Sequence, residues 1–336
     1  MSIKVAINGF GRVGRYITRV LAKESRNIEL VGVNSRADSA TLAHLLTYDS
    51  VHKTFDLPVE HEEEALVIGG KRVIISRVTS KDSDLPWRDL GVDIVLETSG
   101  QYRDMKACQK HIEAGARKVI LSAPGKGLDA TFVMGVNHES YNPARHHVVS
   151  NASCTTNCMA PIVNVIHKAV GIDRGLMNTI HAYTMDQRLL DGSHSDLRRA
   201  RAAAMSMVPT TTGAARTVGE IIPELKGKLD GLAIRVPTPN VSLLDFSAEL
   251  SRNSSADEIN EALRAAGRKE LEGILLMSDL PLVSVDFTSS PYSAIVDSAL
   301  TNVIEGRFLK VLAWYDNESG FSHRMVDLAC YIGSKL

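Results

Sequence analysis

The chain has 336 residues, of which 44% are hydrophobic and 23% are charged, and its formal net charge at pH 7 is −1. This length favours about two domains. A charge so close to zero gives no global field that would draw the chain to nucleic acid or lipid. No apolar run approaches the roughly 18 residues of a membrane-spanning helix, so we expect no membrane partner.

Two further features bear on the compartment. The four cysteines are too few for a disulfide scaffold, and free thiols fit a reducing compartment. The N-terminus enters a strand pattern directly and has no signal-peptide core, so we expect a cytoplasmic protein. The last three residues, Ser334-Lys335-Leu336, match the peroxisomal address of eukaryotes, and an organelle of that type is the alternative.

Over the first 150 residues or so, apolar β-rich runs alternate with helical patterns. Strands are predicted at 3–8, 28–34, 72–76, 92–98, 118–123 and 131–136, and helices at 12–25 and 104–114. Near-continuous apolar strands separated by helices indicate a buried, mostly parallel sheet. The acidic segment 60–65 reads as a solvated hairpin turn rather than a metal site.

The alternation of strands and helices changes at Ser153, where another helical pattern starts. Strands are then predicted at 176–184, 230–235, 240–250, 281–287, 292–297 and 308–315. Sequential strands with few crossovers suggest a mixed or antiparallel sheet, and therefore a second domain of the α+β class. The last helical pattern places four apolar side chains on one face, namely Phe321, Met325, Ala329 and Ile332.

The first predicted strand runs into a G-x-G-x-x-G pattern at residues 9–14. The glycines allow a tight turn and close approach of the backbone, and the helix that follows offers N–H groups to a pyrophosphate. A purely structural turn is the alternative, but the strand–turn–helix context favours dinucleotide binding. We predict an α/β chain with a Rossmann-type dinucleotide-binding domain (1–152 and 318–336, the C-terminal helix returning to it) and an α+β catalytic domain (153–317).

The segment Ser153-Cys154-Thr155-Thr156-Asn157-Cys158 is a candidate nucleophile site. Two thiols four residues apart give too few ligands for a metal, and a redox pair is more often C-x-x-C. Cys154 would lie in the first turn of a helix, where the dipole favours a thiolate, and Cys158 reads as a packed residue. His181, among apolar strand residues, is the candidate base, although a lone histidine there is more often a core residue.

These motifs belong to a larger set that makes the chain resemble phosphorylating glyceraldehyde-3-phosphate dehydrogenases along essentially its whole length. The matching stretches are too long and too specific in their chemistry to arise by chance. They are INGFGRVGR (7–15), LTYDSVH (46–52), ASCTTNCMAP (152–161), HAYTMDQ (181–187), DLRRARAAA (196–204), PTTTGAA (209–215), RVPTPNVS (235–242) and WYDNE (314–318).

The resemblance implies a reaction. The Cys154 thiolate would attack the aldehyde of glyceraldehyde 3-phosphate, and His181 would take the hydroxyl proton while hydride passes to the nicotinamide. Inorganic phosphate would cleave the resulting thioester to give 1,3-bisphosphoglycerate. The Cys154 backbone N–H and His181 would stabilise the oxyanion. The resemblance also implies a homotetramer, and it assigns the basic cluster at 198–201 to a subunit-interface loop rather than to nucleic-acid binding.

The resemblance also implies binding residues. Those for the substrate phosphate are Thr184 and Arg235, with Arg199 shared between the two anion sites, and those for the attacking phosphate are Ser153, Thr155, Thr212 and Gly213. Those for the cofactor are Asn8, Gly9, Phe10, Gly11, Arg12, Val13, Asn34, Ser35, Arg36, Arg77, Ser99, Gly100, Ser122, Ser193 and Asn317. No metal is expected.

Two positions bear on the choice between NAD and NADP. NAD-selective members of the family carry Asp where Ser35 stands, and that carboxylate binds the ribose 2′-OH and repels a 2′-phosphate. Gly192-Ser193 replaces a bulkier Leu-Pro, as in NADP-using members. Arg36 either pairs with the 2′-phosphate or is a solvated turn residue. We expect NADP to be accepted alongside NAD.

One departure and two other functions need weighing. Ser319 stands where the family usually has a large aromatic residue, which we expect to loosen the local packing. Erythrose-4-phosphate dehydrogenase is a close relative that releases its product with water, and segment 279–287 looks somewhat like it. A non-catalytic dinucleotide-binding scaffold is the alternative from another class.

Overall fold

In a computed structural model of the chain, the described residues are 2–24, 26–79 and 85–336. Their contacts divide the chain into two units. The first comprises Met1–Phe132, His138–Ser153 and Ser322–Leu336, and the second comprises Val133–Asn137 and Cys154–Phe321. Each unit is built on a sheet of its own. None of the helices in the described ranges is long and apolar enough to cross a membrane.

The α-helices of the described residues are α1 (Arg12–Lys23), α2 (Ser39–Thr47), α3 (Met105–Glu113), α4 (Cys154–Val170), α5 (Ala214–Ile221), α6 (Ala256–Gly267) and α7 (Ser319–Gly333). Several begin at a polar cap. Asp38 precedes α2 and Asp104 precedes α3, and each carboxylate accepts the backbone N–H three residues further on. Such a cap satisfies a donor that the first helical turn otherwise leaves without a partner.

The sheet of the first unit consists of β1 (Ile3–Asn8), β2 (Ile28–Asn34), β3 (Val59–Glu62), β4 (Ala65–Ile68), β5 (Lys71–Ser76), β6 (Ile94–Glu97), β7 (Lys118–Leu121), β8 (Ala130–Thr131) and β9 (Val148–Ser150). Its order is β3-β4-β5-β2-β1-β6-β7-β9-β8. All neighbours are parallel except the pairs β3–β4 and β4–β5. The predicted mostly parallel sheet is confirmed.

The sheet of the second unit consists of β10 (Ile172–Ala182), β11 (Val208–Thr211), β12 (Leu229–Val236), β13 (Ser242–Leu250), β14 (Leu275–Ser278), β15 (Ala294–Asp297), β16 (Asn302–Ile304) and β17 (Phe308–Tyr315). Its order is β11-β12-β10-β13-β17-β15-β14, with β16 beside β17. The pairs β10–β12 and β14–β15 are parallel and the others antiparallel. This is the mixed sheet that the sequence predicts, and the predicted fold class is confirmed.

The local predictions with a clear pattern are also found. The acidic segment 60–65 forms a hairpin, in which β3 and β4 pair with Glu62 opposite Ala65. The predicted apolar face of the C-terminal helix is buried, with Phe321, Met325, Ala329 and Ile332 all at most 5% exposed. Ser25, near the end of the helix predicted at 12–25, lies outside the described residues, and the helix ends at Lys23.

Two predicted strands are wrong. Of segment 131–136 only Thr131 lies in a strand, because Gly135 takes a positive φ of 78° and the Asn137 side chain accepts the N–H of Val133 at 2.8 Å, which makes a turn. Segment 281–287 contains a short 3₁₀ helix at Ser284–Phe287. There the Asp286 carboxylate accepts the N–H of Val283 at 2.8 Å, so a local side-chain bond replaces the strand pairing that the apolar residues suggested.

A buried guanidinium fixes the segment that follows α2 in the first unit. Arg19, on α1, is 7% exposed and donates to four backbone carbonyl groups at the end of α2 and in the next loop. The shortest of these bonds joins Nη2 to the oxygen of Leu46 at 2.7 Å. Arg19 therefore acts as the C-terminal cap of α2, where a cation and a donor are both favourable.

We expect the substitution Arg19→Met to lower stability by about 2–3 kcal/mol, because it leaves buried carbonyl groups without donors. The measurement is the midpoint of urea unfolding at a fixed protein concentration. Arg72→Met is the matched control, since Arg72 pairs with Glu62 on the exposed hairpin and should contribute less than about 1 kcal/mol. Equal midpoints for the two variants would contradict the capping role.

Candidate active site

The glycine pattern at the end of β1 has a steric basis. Gly9 adopts a φ of +98°, and a Cβ atom there would lie 2.5 Å from the backbone of Ser99. A Cβ atom on Gly14 would lie 2.3 Å from the carbonyl oxygen of Gly9. Gly11, the N-cap of α1, has no atom within 4 Å of its own Cβ position and no side-chain cap bond. The first turn of α1 thus begins beside open space, as an anion-binding helix terminus requires.

A cavity of about 360 Å³ opens at this loop in the first unit. It lies at the carboxyl ends of parallel strands, where dinucleotides bind in doubly wound sheets. Eight of the predicted cofactor residues line it, namely Asn8, Gly9, Phe10, Gly11, Asn34, Ser35, Arg36 and Ser99. The sequence reading missed its other lining residues, Ala37, Val78, Thr79, Thr98, Gln101 and Tyr102. Most of these follow β5 or β6, and the strand-end rule would have found them.

Other predicted cofactor residues lie near the cavity in sequence but do not line it. Arg12 and Val13 open α1, and Gly100 and Ser122 follow β6 and β7. Arg77 follows β5, and its guanidinium donates to the carbonyl of Glu63 at 2.9 Å. Arg12 forms a partly buried ion pair with Asp49, whose pKa falls to about 2, because bonds from Arg12 and two backbone N–H groups outweigh burial.

The turn after β2 carries no free acid. No carboxylate is found among the cavity-lining residues of the described ranges, and Ser35 and Arg36 line this corner. The N–H of Ser35 donates to Ser76 at 2.9 Å, which holds the turn against β5. The nearest acid in the turn, Asp38, is occupied as the cap of α2, and its bonds to Thr41 lower its pKa.

In the second unit, the candidate nucleophile and base are in contact. The Sγ atom of Cys154 lies 3.5 Å from Nε2 of His181. Cys154 is the first residue of α4, and His181 lies near the end of β10 and is 4% exposed. The parallel register of β10 and β12 places His181 opposite Arg235. Nη1 of Arg235 lies 2.7 Å from Nδ1 of His181 and donates to the carbonyl of Ala182.

Burial and this guanidinium set the protonation of the pair. Together they lower the pKa of His181 to about 3, so the imidazole is neutral. Burial also raises the pKa of the Cys154 thiol, against the opposing charge of Arg235. The sequence prediction of a thiolate considered only the helix terminus at Cys154. It did not include this burial, which favours the neutral thiol. Nδ1 of His181 lies 2.7 Å from the carbonyl oxygen of Ala182, which favours a hydrogen on Nδ1, and 2.7 Å from Nη1 of Arg235, which favours a lone pair there. The tautomer with its hydrogen on Nδ1 is the one that leaves Nε2 as an acceptor facing the thiol.

The two predicted phosphate-binding arginines differ in the partners of their guanidinium groups. The Nε atom of Arg235 is buried and has no hydrogen-bond partner in the described parts of the chain. Arg199 forms an ion pair with Asp186 and donates from Nε to Thr210 at 3.0 Å. Arg235 therefore has a donor left for an anion, while Arg199 is held by neighbouring residues.

The predicted hydroxyl ligands are placed in several ways. Thr155 hydrogen-bonds to the Tyr315 hydroxyl at 2.9 Å. Thr212 accepts the N–H of Ala214, and Gly213 is the N-cap of α5. Thr184 follows β10, and its N–H donates to Oε1 of Gln187 at 3.4 Å. Ser153 is the last residue of the first unit.

Asn317 is oriented by a residue that the sequence reading missed. Ser242 donates to Oδ1 of Asn317 at 3.0 Å and accepts the N–H of Ala182 at 3.1 Å. The amide NH₂ of Asn317 therefore points away from Ser242 and is available to donate elsewhere. Val241, directly before Ser242, is buried and has a φ of +64°, a rare conformation for a β-branched residue and a mark of local strain.

Three other expectations concern single positions. Ser193 is exposed, and its carbonyl accepts from Arg188 at 2.8 Å. Ser319 is fully buried, and a Cβ atom on its neighbour Gly320 would lie 2.4 Å from the oxygen of Tyr292. Over the described ranges, no group of three or more His, Cys, Asp or Glu side chains is placed to hold a metal.

Comparison with known proteins identifies the family. Residues 3–105 match the model of the glyceraldehyde 3-phosphate dehydrogenase NAD-binding domain, and residues 153–317 match the model of its C-terminal domain. A glyceraldehyde-3-phosphate dehydrogenase of Geobacillus stearothermophilus is 54% identical over 100% of this chain and 99% of its own length. The chain belongs to the glyceraldehyde-3-phosphate dehydrogenase family.

Relatives from other bacteria agree. Glyceraldehyde-3-phosphate dehydrogenase 2 of Bacillus subtilis is 49% identical over 100% of this chain and 98% of its own length. A glyceraldehyde-3-phosphate dehydrogenase of Streptomyces coelicolor is 50% identical, and the match covers 100% of both chains. The resemblance inferred from the motifs is thereby confirmed, and the chain is an NAD-binding oxidoreductase of this family.

The first unit fits the dinucleotide. Gly9 and Gly14 permit backbone contacts that a Cβ atom would block, and the Cβ position of Gly11 is open. We expect Gly9→Ala to lower the thermal stability and abolish NAD binding, because the backbone would have to move. Gly11→Ala should fold like the parent protein but bind NAD more weakly, because its methyl group enters the open space at the helix terminus. Calorimetric melting and NAD titration of both variants test this, and equal stabilities would contradict it.

Burial is the largest cause of the low pKa of His181, and the charge of Arg235 is the next. We expect Arg235→Leu to raise this pKa part of the way toward its usual value of about 6.5, whereas Arg235→Lys, which keeps a cation, should leave it low. Nitrogen-15 NMR titration of the imidazole measures both. Because the native pKa lies below the unfolded one, the contribution of His181 to stability is complete above about pH 6.5 and is lost as the pH falls toward 3. An unchanged pKa in Arg235→Leu would contradict this assignment.

Proposed function

We propose that this protein oxidises and phosphorylates glyceraldehyde 3-phosphate to 1,3-bisphosphoglycerate. The observation that carries the proposal is the contact of Cys154 with a neutral His181, beside the free donor of Arg235. A thiol nucleophile needs a base within reach, and a phosphorylated aldehyde needs a cation that is not already paired. The family of the chain supports the same reaction.

Residues of the second unit would carry out the steps of this reaction. His181 takes the thiol proton and returns it to the aldehyde oxygen, so that a neutral thiohemiacetal forms on Cys154. The same nitrogen then accepts the hydroxyl proton as the carbon loses hydride. NAD, when bound, supplies the hydride acceptor. Inorganic phosphate attacks the resulting thioester, and the thiolate of Cys154 leaves. Arg235 would hold the substrate phosphate through its free donor, and Arg199 would have to leave Asp186 to join it. Thr184 and Thr212 would add hydroxyl groups.

Omission of phosphate tests this reaction. We expect turnover in phosphate-free buffer to stop after one equivalent of NADH per Cys154, because no nucleophile releases the acyl group. Cys154→Ser should abolish activity, while Cys158→Ser, at a fully buried thiol, should retain it. Continuous turnover without phosphate would favour erythrose-4-phosphate dehydrogenase-type hydrolysis, and retained activity in Cys154→Ser would exclude the mechanism.

We also propose that the enzyme accepts NADP alongside NAD. Ser35 and Arg36 occupy the corner of the cavity where an acid would repel a 2′-phosphate. Arg36 is exposed and lies at the cavity wall, where its guanidinium suits a phosphate. Ser193, from a neighbouring subunit, would line the same pocket in an oligomer.

Substitution at position 35 tests this selectivity. We expect kcat/KM for the two cofactors to differ by less than about a hundredfold, or ~2.7 kcal/mol. Ser35→Asp should lower kcat/KM for NADP by more than about a hundredfold through charge repulsion and leave that for NAD within a few-fold. Ser35→Ala, the control, removes the hydroxyl without adding charge. A strong NAD preference in the parent enzyme would exclude the proposal.

We further propose a homotetramer in the cytoplasm. Support for assembly comes from large apolar side chains left exposed in the second unit, because exposed apolar surface is where subunits associate. They are Leu176, Met185, Leu189, Leu190, Leu197, Met205, Met207, Leu232 and Phe308. Sedimentation equilibrium measures the assembly state, and a monomer at micromolar concentration would exclude it. Cytoplasmic localisation rests on the sequence alone, and imaging of the tagged full-length chain tests it.

A further inference from the structure

A fully buried carboxylate lies at the end of β6, beside the dinucleotide cavity. Glu97 is 0% exposed, and each of its oxygens accepts two hydrogen bonds. Oε1 accepts from the backbone N–H and the hydroxyl of Ser99, at 2.7 and 2.6 Å. Oε2 accepts from the amide of Asn8 and lies 3.0 Å from Nε2 of His111. A buried carboxylate is tolerated only when its acceptor positions are filled in this way.

The tautomer of His111 follows from its other neighbour. The indole N–H of Trp87 lies 3.1 Å from Nδ1 of His111, and an indole nitrogen can only donate. Nδ1 must therefore accept, and Nε2 carries the hydrogen that is donated to Glu97. Trp87 and His111 are both fully buried. The indole N–H of Trp87, which can only donate, therefore fixes which atoms donate and which accept along this series of hydrogen bonds.

Two amide side chains, those of Asn8 and Asn34, continue this series of hydrogen bonds toward the cavity. Because Glu97 accepts only, Asn8 must present its NH₂ group to the carboxylate and its Oδ1 to Asn34, whose Nδ2 lies 2.7 Å away. Asn34 then has its Oδ1 turned toward the N–H of Val78 and the hydroxyl of Ser76, both at 3.0 Å. Its NH₂ group also donates to the carbonyl of Val78.

This chain of bonds crosses the strands whose ends line the cavity. Glu97, Asn8 and Asn34 end β6, β1 and β2, and Val78 follows β5. These are four adjacent strands of the sheet. Asn34 directly precedes Ser35, and Asn8, Asn34, Val78 and Ser99 all line the cavity. If the amide of Asn8 or Asn34 were reversed, the polar groups beside the turn after β2 would therefore change. This is the turn where the ribose of a dinucleotide binds in doubly wound sheets.

We propose that Glu97, oriented by His111 and Trp87, is a positioning residue for dinucleotide binding. Its carboxylate fixes the orientation of the Asn8 and Asn34 amides in series and so sets the ribose end of the cavity. The proposal rests on dinucleotide binding by the first unit and is independent of the reaction proposed for the second.

Glu97→Gln is the sharpest substitution, because it keeps the shape and replaces one acceptor by a donor. Whichever way the new amide turns, its NH₂ group faces an N–H that can only donate, that of the Ser99 backbone on one side or Nε2–H of His111 on the other. The Ser99 hydroxyl can turn to accept, but the backbone N–H beside it cannot. A turn of Asn8 sets its NH₂ group against that of Asn34, and a further turn of Asn34 sets its NH₂ group against the N–H of Val78. One donor therefore loses its acceptor in every arrangement.

The test is titration of NAD and of ADP-ribose into the full-length protein. For Glu97→Gln we expect both dissociation constants to rise about tenfold or more, which corresponds to about 1.4 kcal/mol. We expect kcat at saturating cofactor to stay within twofold. Glu62→Gln, on the exposed hairpin, is the control and should bind like the parent protein. ADP-ribose is included because it carries the ribose end without the nicotinamide.

Two substitutions of His111 cover the case in which Glu97→Gln folds poorly. His111→Gln keeps an N–H donor that can reach Glu97, and His111→Leu removes it, while both lose the contact with Trp87. We expect only His111→Leu to weaken NAD binding. Normal NAD affinity in folded Glu97→Gln or His111→Leu would overturn the proposal. So would a loss of binding that matches the loss of folded protein in every variant, counted from the amplitude of the thermal unfolding transition.

Discussion

The register between β10 and β12 is the constraint on which the chemistry of the second unit depends. It sets a guanidinium beside a buried imidazole, and the imidazole in turn faces the thiol at the start of α4. A shift of one residue would turn Arg235 to the other face of the sheet. The charge that adds to burial in lowering the pKa of His181 would then be removed. One backbone alignment therefore sets the electrostatic environment of the imidazole that faces the thiol.

The sequence predicted the parts of this protein that rest on repeated or local patterns. The parallel sheet follows from apolar strands separated by helices, and the glycine loop follows from its place between β1 and α1. The apolar face of α7 follows from helical spacing. Where the predictions were wrong, at 131–136 and 281–287, a single polar side chain had made a turn or a 3₁₀ helix in a segment with an apolar composition.

The site was harder to predict because its energetics depend on distant residues. The helix terminus at Cys154 is visible in the sequence, but the burial that opposes it is not. Glu97 and His111 are separated from Asn34 by many residues, and only the strand order brings them to one line of hydrogen bonds. Ser242 likewise contacts Asn317 only because β13 lies between β10 and β17. The spacing of residues along the chain does not indicate which of them become hydrogen-bond partners across the sheet.

The turn between β2 and α2 divides two roles between two residues, Ser35 at the cavity and Asp38 at the helix. Asp38 is committed to the helix, since its carboxylate holds the first turn of α2 through Thr41. Ser35 faces the cavity and supports no helix. The wall of the cavity and the cap of the helix are therefore built from different positions. A substitution at residue 35 can alter the surface of the cavity and leave the cap of α2 in place.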